Sequence, residues 1–132
     1  RSKLQDGMDS GIKNFSLAFV NSAGSCSPTW ASIASYTINN DTLNLPKQIK
    51  EVAKAGGHIM VSFGGATAGV NELANTCTTV DTLAAAYQSV IDDTGVKMID
   101  FDIEGHNSYN KVNVLRRMKA LKIIQDKNPD VE

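Results

Sequence analysis

The segment MIDFDIEG (residues 98–105) places carboxylates at every second position, Asp100, Asp102 and Glu104, between apolar residues. On a helix this spacing would scatter the acids around the axis, whereas on a strand it points all of them to one face. Neighbouring acids would then lie ~6.6–7 Å apart along the strand, where like charges resist ionising together. A strand with a purely structural role has no use for such a row, so the segment predicts a functional site.

Length and composition indicate one globular domain covering residues 1–132. The chain is 42% hydrophobic and 20% charged, which is typical of a folded protein rather than a disordered one. Its formal net charge of -1 gives no reason to expect binding to nucleic acid or to an anionic membrane. No apolar run approaches the ~20 residues of a membrane span. Arg1 falls within an expected helix, so we expect a mature form or a fragment of a longer protein.

Periodicity predicts strict alternation of helices and strands along the chain. Helices are predicted at residues 2–10, 44–57, 79–95 and 110–129, and strands at residues 14–20, 58–63 and 96–104. Asn44 is the predicted N-cap of the second helix, and Thr79 or Asp81 that of the third. Between the first strand and Asn44 the sequence is typical of a long loop. Loops of that length often have a functional role. This alternation indicates a parallel α/β sheet with right-handed crossovers, in which functional residues gather at the carboxyl ends of the strands.

The third predicted strand also indicates what kind of sheet this is. Ile99, Phe101 and Ile103 would share the face that packs on the helices, while the acids share the other face. In an open sheet both faces meet helices, and burying carboxylates there would be very unfavourable. In a barrel that face points inward, where polar groups bond one another and reach a substrate near the mouth. The pattern therefore favours a barrel.

The carboxylate spacing suits acid–base chemistry on a sugar. Glycoside cleavage needs an acid that is still protonated near neutral pH, and a second nearby carboxylate raises the pKa of the first. Glu104, at the strand exit, is the predicted acid, Asp102 would hold a substrate group, and Asp100 could share a proton with Asp102. The alternative is a buried carboxylate cluster with a structural role only.

Metal binding is a second alternative for this segment. The run DFDIEG begins like a calcium loop, but Lys111 stands at the twelfth position, where a bidentate Glu is needed. A magnesium or manganese site remains open. The two histidines, His58 and His106, are too far apart in sequence to suggest a zinc pair. We predict no metal and no other cofactor.

The end of the preceding strand, VSFGG (residues 61–65), carries a double glycine. Gly64 and Gly65 would permit positive φ or a close approach of backbone or ligand. A plain turn is the alternative. No phosphate-binding glycine pattern is present here.

Together these segments resemble chitinases of glycoside hydrolase family 18. That family carries Ser-x-Gly-Gly on its third strand and Asp-Gly-x-Asp-x-Asp-x-Glu on its fourth. The corresponding segments are residues 62–65 and 97–104, with Lys97-Met98 in place of the first Asp-Gly. Residues 11–20 also resemble the family's second strand. The resemblance implies part of a (β/α)8 TIM barrel, from the first helix to the fourth helix, with three parallel strands.

The resemblance also implies a role for each motif residue. Glu104 would be the general acid, Asp102 would orient the substrate's N-acetyl group, and Asp100 would tune Asp102. In this family the acetamido oxygen is the nucleophile, so no second carboxylate is needed across the bond. Ser62 would support the acids beside Gly64 and Gly65. Trp30, in the loop after the first strand, would either stack on a sugar ring or only pack locally. The implied partner is chitin or a chito-oligosaccharide.

A whole barrel needs ~250 residues, so this chain would be about half of one. The family's first strand and its second half are missing, including a tyrosine that helps to bind the acetamido group. A part-barrel exposes sheet edges and apolar surface, so we expect a missing segment or another chain to complete it. Alone, the 132-residue chain is predicted to have little or no activity.

Cysteine positions predict one disulfide. Cys26 and Cys77 are too few for a disulfide scaffold, but both fall in loops after strand ends, at the same edge of the sheet. A bridge between them would indicate an extracellular, secreted protein.

Two other functions stay open from the sequence. One is a non-catalytic chitin- or carbohydrate-binding relative, although such proteins usually lose the acid that Glu104 provides. The other is a metal-dependent enzyme on an α/β barrel, which inhibition by a chelator would distinguish.

Overall fold

A computed structural model describes residues 3–132 and shows one four-stranded sheet. Its strands are β1 (Asn14–Asn21), β2 (Thr29–Trp30), β3 (His58–Gly64) and β4 (Met98–Asp102). Their order in the sheet is β2-β1-β3-β4. The pairs β1–β3 and β3–β4 are parallel, and β2 runs antiparallel to β1. The predicted parallel α/β sheet is thus confirmed, with a short antiparallel strand added at one side.

Six α-helices occur in the described residues: α1 (Lys3–Asp9), α2 (Leu45–Lys54), α3 (Leu73–Thr76), α4 (Val80–Thr94), α5 (His106–Tyr109) and α6 (Lys111–Lys127). The four longer ones correspond to the four predicted helices, apart from the part of the first prediction on Ser2, which lies outside the described residues. The short α3 and α5 lie in the connections that follow β3 and β4, and a 3-10 turn (Gly69–Asn71) precedes α3. None of the helices in residues 3–132 is long and apolar enough to cross a membrane.

One of the two predicted helix N-caps makes a side-chain capping bond in the structure, and the other does not. Thr79 caps α4 as predicted, because its side chain accepts a hydrogen bond from the Thr82 backbone while Thr82 returns one. Asn44 stands at the N-cap of α2, but its side chain makes no capping bond. A capping side chain needs extended backbone, and Asn44 is left-handed with φ of 50°. The prediction that Asn44 caps α2 through its side chain was therefore wrong.

The third predicted strand is shorter than expected. β4 ends at Asp102, opposite Gly64, and Ile103 and Glu104 lie outside the sheet. The strand ends there because its partner β3 also ends at Gly64, where the backbone turns with positive φ. Glu104 therefore sits on the connection beyond the strand rather than within it.

An aromatic cluster marks the helix-facing side of the sheet. Phe63 and Phe101 stack with ring centroids 5.0 Å apart, and Tyr87 of α4 meets both rings edge-on at 5.2 Å. Phe63 and Tyr87 are fully buried, and Phe101 packs against this core together with Ile99. The alternation along β4 thus sends its apolar side chains toward the helices, as predicted.

Two further features lie at the outer edge of β4 and on the surface of α6. Glu132 pairs with the start of β4, because Ile99 N–H donates to the Glu132 carbonyl and Glu132 N–H donates to the Lys97 carbonyl, each over 2.9 Å. This is the bonding pattern of a parallel neighbour strand. On α6, exposed apolar side chains recur at three-residue intervals, namely Val112, Leu115 and Met118. Such a face is typical of a surface that another element covers.

Candidate active site

A row of small and polar side chains crosses the three parallel strands on the face opposite the aromatic cluster. Ala18 on β1, Ser62 on β3 and Asp100 on β4 are direct neighbours in the sheet register. Ser62 is buried, and its Oγ donates a 2.6 Å hydrogen bond to Asp100 Oδ2. The bond anchors the deepest of the three acids to the neighbouring strand.

The double glycine lets the backbone of β3 approach β4 closely. Gly64 has φ of +101° and Gly65 has φ of +84°, values that L side chains rarely adopt. A methyl group on Gly64 would overlap the Asp102 carbonyl oxygen, and one on Gly65 would lie 2.6 Å from the Phe19 ring. Gly65 N–H donates to the same Asp102 carbonyl over 2.7 Å. The predicted positive φ and close approach are confirmed, and the site is more than a plain turn.

Glu104 lies just beyond the carboxyl end of β4, close to Asp102. Its side chain is exposed and lines an open cleft of about 610 Å³ together with Ala66, Val70 and His106. The pKa of Glu104 is raised, first by the charge of Asp102, then by partial desolvation and by a side-chain hydrogen bond with Asp102. A carboxyl group with a raised pKa is suited to donate a proton at near-neutral pH.

The acids thus occupy graded positions. Asp100 is half-buried within β4, Asp102 is half-buried at the strand's last position, and Glu104 is open to solvent. The arrangement can hold a polar group of a ligand at Asp102 while Glu104 delivers a proton from the cleft. The roles drawn from the resemblance remain predictions.

The calcium-loop alternative does not fit this backbone. A calcium-binding loop of the helix–loop–helix type is flanked by helices. Here Asp100 and Asp102 lie inside a paired strand, and Lys111 begins α6. Within residues 3–132 no three His, Cys, Asp or Glu side chains are grouped so that they could hold a metal ion.

Trp30 lies in a short strand rather than in the predicted loop. It lies in β2, pairs with Val20 of β1 and is only 5% exposed within the hydrophobic core. A buried indole offers no face to a sugar, so the structure favours the alternative of local packing. The loop prediction was wrong because a two-residue strand carries too little periodicity to be recognised in sequence.

Cys26 and Cys77 form a disulfide, as predicted. The bridge joins the connection after β1 to the residue that follows α3. It therefore ties together two of the connections at the carboxyl edge of the sheet, the edge that also carries the acids.

A network of asparagines was missed in the sequence. Asn107 of α5 donates to the Gly69 carbonyl over 2.8 Å and accepts from Asn75, which in turn accepts from Asn113 of α6. These bonds hold the connection after β3 against the connection that carries Glu104. The signal available was the recurrence of Asn after the acidic motif, at positions 107, 110 and 113.

Comparison with known proteins places this geometry in context. No family model matches the chain. Over 118 residues it is 38% identical to a probable bifunctional chitinase/lysozyme of Escherichia coli, covering 88% of this chain and 12% of that protein. Over 80 residues it is 40% identical to endochitinase 11 of Metarhizium anisopliae, covering 61% of this chain and 15% of that one. The chain thus spans less than a sixth of the length of either relative.

Solved structures show the same likeness. The crystal structure of the catalytic domain of a hyperthermophilic chitinase from Pyrococcus furiosus superposes with a TM-score of 0.80 at 27% identity. The match covers all of this chain and 40% of that one. The chain is chitinase-like in sequence and in fold. This confirms the resemblance carried by the two motifs, and it agrees with a partial barrel.

A second solved relative was determined with ligands bound. Catalytic-site mutants of active domain 2 of the Pyrococcus furiosus chitinase have been solved in complex with chito-oligosaccharides. That structure superposes on the whole of this chitinase-like chain with a TM-score of 0.79 at 26% identity.

Proposed function

We propose that this chain carries the catalytic motif of an enzyme that hydrolyses β-1,4 links between N-acetylglucosamine units. The observation that carries the proposal is the pairing of Asp102 with Glu104 at the carboxyl end of β4. This pairing raises the pKa of Glu104. The likeness to chitinases in sequence and in fold supports the same substrate class.

In the proposed mechanism Glu104 protonates the glycosidic oxygen of the leaving sugar. The acetamido oxygen of the substrate attacks the anomeric carbon, and water then opens the resulting ring with retention of configuration. Asp102 orients the acetamido group and stabilises the charge that develops on it. Asp100, held by its bond from Ser62, stands behind Asp102 as the deeper partner. No metal or other cofactor takes part.

Chitin or a chito-oligosaccharide is the proposed substrate, and the protein is proposed to be secreted. The disulfide supports secretion, since such bridges persist in oxidising compartments. The open side of β4 and the apolar face of α6 support a larger barrel, completed by a further segment or another chain. The 132 residues alone are therefore expected to show little or no turnover.

The test is Glu104→Gln in the natural protein that contains these residues. Release of a chromophore from a chito-oligosaccharide glycoside should fall about 10³-fold or more, because the leaving oxygen loses its proton donor, while oligosaccharide binding persists. Glu51→Gln on the exposed side of α2 is the matched control and should leave turnover unchanged. Unaltered turnover in Glu104→Gln would defeat the proposal, and loss of activity with a chelator would point to the metal-dependent alternative.

A further inference from the structure

One peptide group links three strands at the edge where the acids lie. It is the peptide between Gly64 and Gly65. Its carbonyl accepts a 2.8 Å hydrogen bond from Asn21 Nδ2 at the end of β1, and its N–H donates over 2.7 Å to the carbonyl of Asp102 at the end of β4. Because a peptide is planar and rigid, Asn21 and Asp102 are held by opposite ends of a single group.

The orientation of this peptide is not fixed by its own residues. Glycine lacks the Cβ that restricts φ and ψ, and two glycines in a row leave the peptide between them unusually free to turn. Gly64 and Gly65 are both required here, because side chains on them would strike Asp102 and Phe19. The hydrogen bonds at each end of the peptide must therefore set its direction.

Asn21 is placed for this single contact. Its side chain is only 3% exposed, and its Oδ1 has no hydrogen-bond partner within residues 3–132. A buried amide with half of its polar atoms unsatisfied is less stable than an apolar side chain of the same size. The hydrogen bond from Asn21 Nδ2 to the Gly64 carbonyl is the interaction that an apolar side chain of similar size, such as leucine, would lack.

We infer that Asn21 is a positioning residue for the Asp102–Glu104 pair and acts through the Gly64–Gly65 peptide. This rests on the proposed function. The bond to the Gly64 carbonyl fixes the peptide plane and strengthens the donor at its other end. That donor holds the backbone of Asp102, only two residues before Glu104. Without Asn21 the end of β4 is free to shift, and the two carboxyl groups lose their set separation.

The test compares Asn21→Leu with Ser22→Ala in the natural protein that contains these residues. Ser22 is an apt control, because it is buried directly after β1 and its side chain loses one bond, to the Asn71 carbonyl, which is not part of the Gly64–Gly65 peptide. We expect kcat of Asn21→Leu to fall about 10- to 100-fold with little change in KM. This is the loss expected when a catalytic group, here the Glu104 carboxyl, moves by about 1 Å. Ser22→Ala should keep kcat. If leucine prevents folding, Asn21→Ser removes the same bond with a smaller side chain.

A second readout does not depend on hydrolysis. Carbon NMR titration gives the pKa of Glu104 in each variant. The neighbouring titratable groups are Asp102, two residues before Glu104, and His106, which lines the same cleft. A wider Asp102–Glu104 separation should lower the Glu104 pKa in Asn21→Leu and leave it unchanged in Ser22→Ala. An identical Glu104 pKa in both variants would overturn the inference. If the wild type fails to cleave chito-oligosaccharides, the proposed function falls, while this titration still decides the role of Asn21.

Discussion

Arg117 of α6 and Glu72, which precedes α3, form a buried ion pair, with Arg117 Nη2 donating to Glu72 Oε2 over 3.1 Å. Their side chains are 7% and 2% exposed. Glu72 also accepts a bond from the Ala74 backbone and so caps α3. The pair thus fastens the connection after β3 to the helix after β4, behind the connections that form the cleft.

Removing the cation should strongly destabilise the fold. Arg117→Met leaves the Glu72 carboxylate buried without its counter-charge, and we expect the free energy of unfolding in urea to fall by about 3–5 kcal/mol. Lys122→Met is the matched control, because it breaks the exposed pair with Asp126 on the same helix. That variant should change stability by less than about 1 kcal/mol. Equal effects of the two substitutions would contradict the importance given to burial.

A methyl group at Gly64 should be tolerated far less than one at another glycine with the same backbone conformation. Gly64 and Gly24 both have positive φ, +101° and +95°, but only at Gly64 does the added Cβ meet backbone, the Asp102 carbonyl. Gly24→Ala should therefore lose about 1–2 kcal/mol from conformational strain alone. Gly64→Ala adds a steric clash, and we expect at least twice that loss in urea unfolding. Similar losses at the two positions would show that the close approach to β4 is unimportant.

Much of the fold could be predicted because periodicity reports burial directly. The alternation along residues 98–104 predicted both the strand and the face of Phe101. The resemblance implied a place for Ser62 beside the acids, and the bond from Ser62 to Asp100 agrees with it. Elements set by tertiary context could not be predicted in this way. The two residues of β2 gain strand geometry only by pairing with β1, and that pairing buries Trp30.

The candidate site was likewise only partly visible in the sequence. The acids and the double glycine stand out by their spacing, but a single polar residue at a strand end, such as Asn21, carries no pattern. Glu72 and Arg117 are 45 positions apart, and charged residues are by default expected on the surface. Only the folded chain brings them together and removes them from water.

Loss of the disulfide should destabilise the fold. Cys26 and Cys77 are 51 positions apart. Closing a loop of that length reduces the entropy of the unfolded chain, which raises its free energy by about 4 kcal/mol. We expect the Cys26→Ala/Cys77→Ala double variant to lose roughly that much free energy of unfolding. Wild-type protein unfolded in the presence of a reductant is the control and should match it. A double variant as stable as the oxidised wild type would refute the expectation.

The pH dependence of turnover should report on the Asp102–Glu104 pair. Glu104 must be protonated to act as the acid, so its raised pKa sets the alkaline limb of kcat/KM, and activity is lost as pH rises through that pKa. The charge of Asp102 is the largest cause of the shift, so Asp102→Asn should lower the pKa of Glu104. The alkaline limb of the residual activity should then move to lower pH. The measurement is a pH–rate profile on a soluble chito-oligosaccharide glycoside with the natural protein that contains these residues.

Asp81→Asn controls for the loss of one negative charge elsewhere, because Asp81 is exposed in the first turn of α4. Its profile should coincide with that of the wild type, since salt screens the charge of an exposed side chain, with a Debye length of about 10 Å at 0.1 M. An alkaline limb that stays in place or moves to higher pH in Asp102→Asn would mean that another group sets it. Glu104 would then not be the acid whose ionisation limits the reaction, even if its replacement by glutamine removes activity.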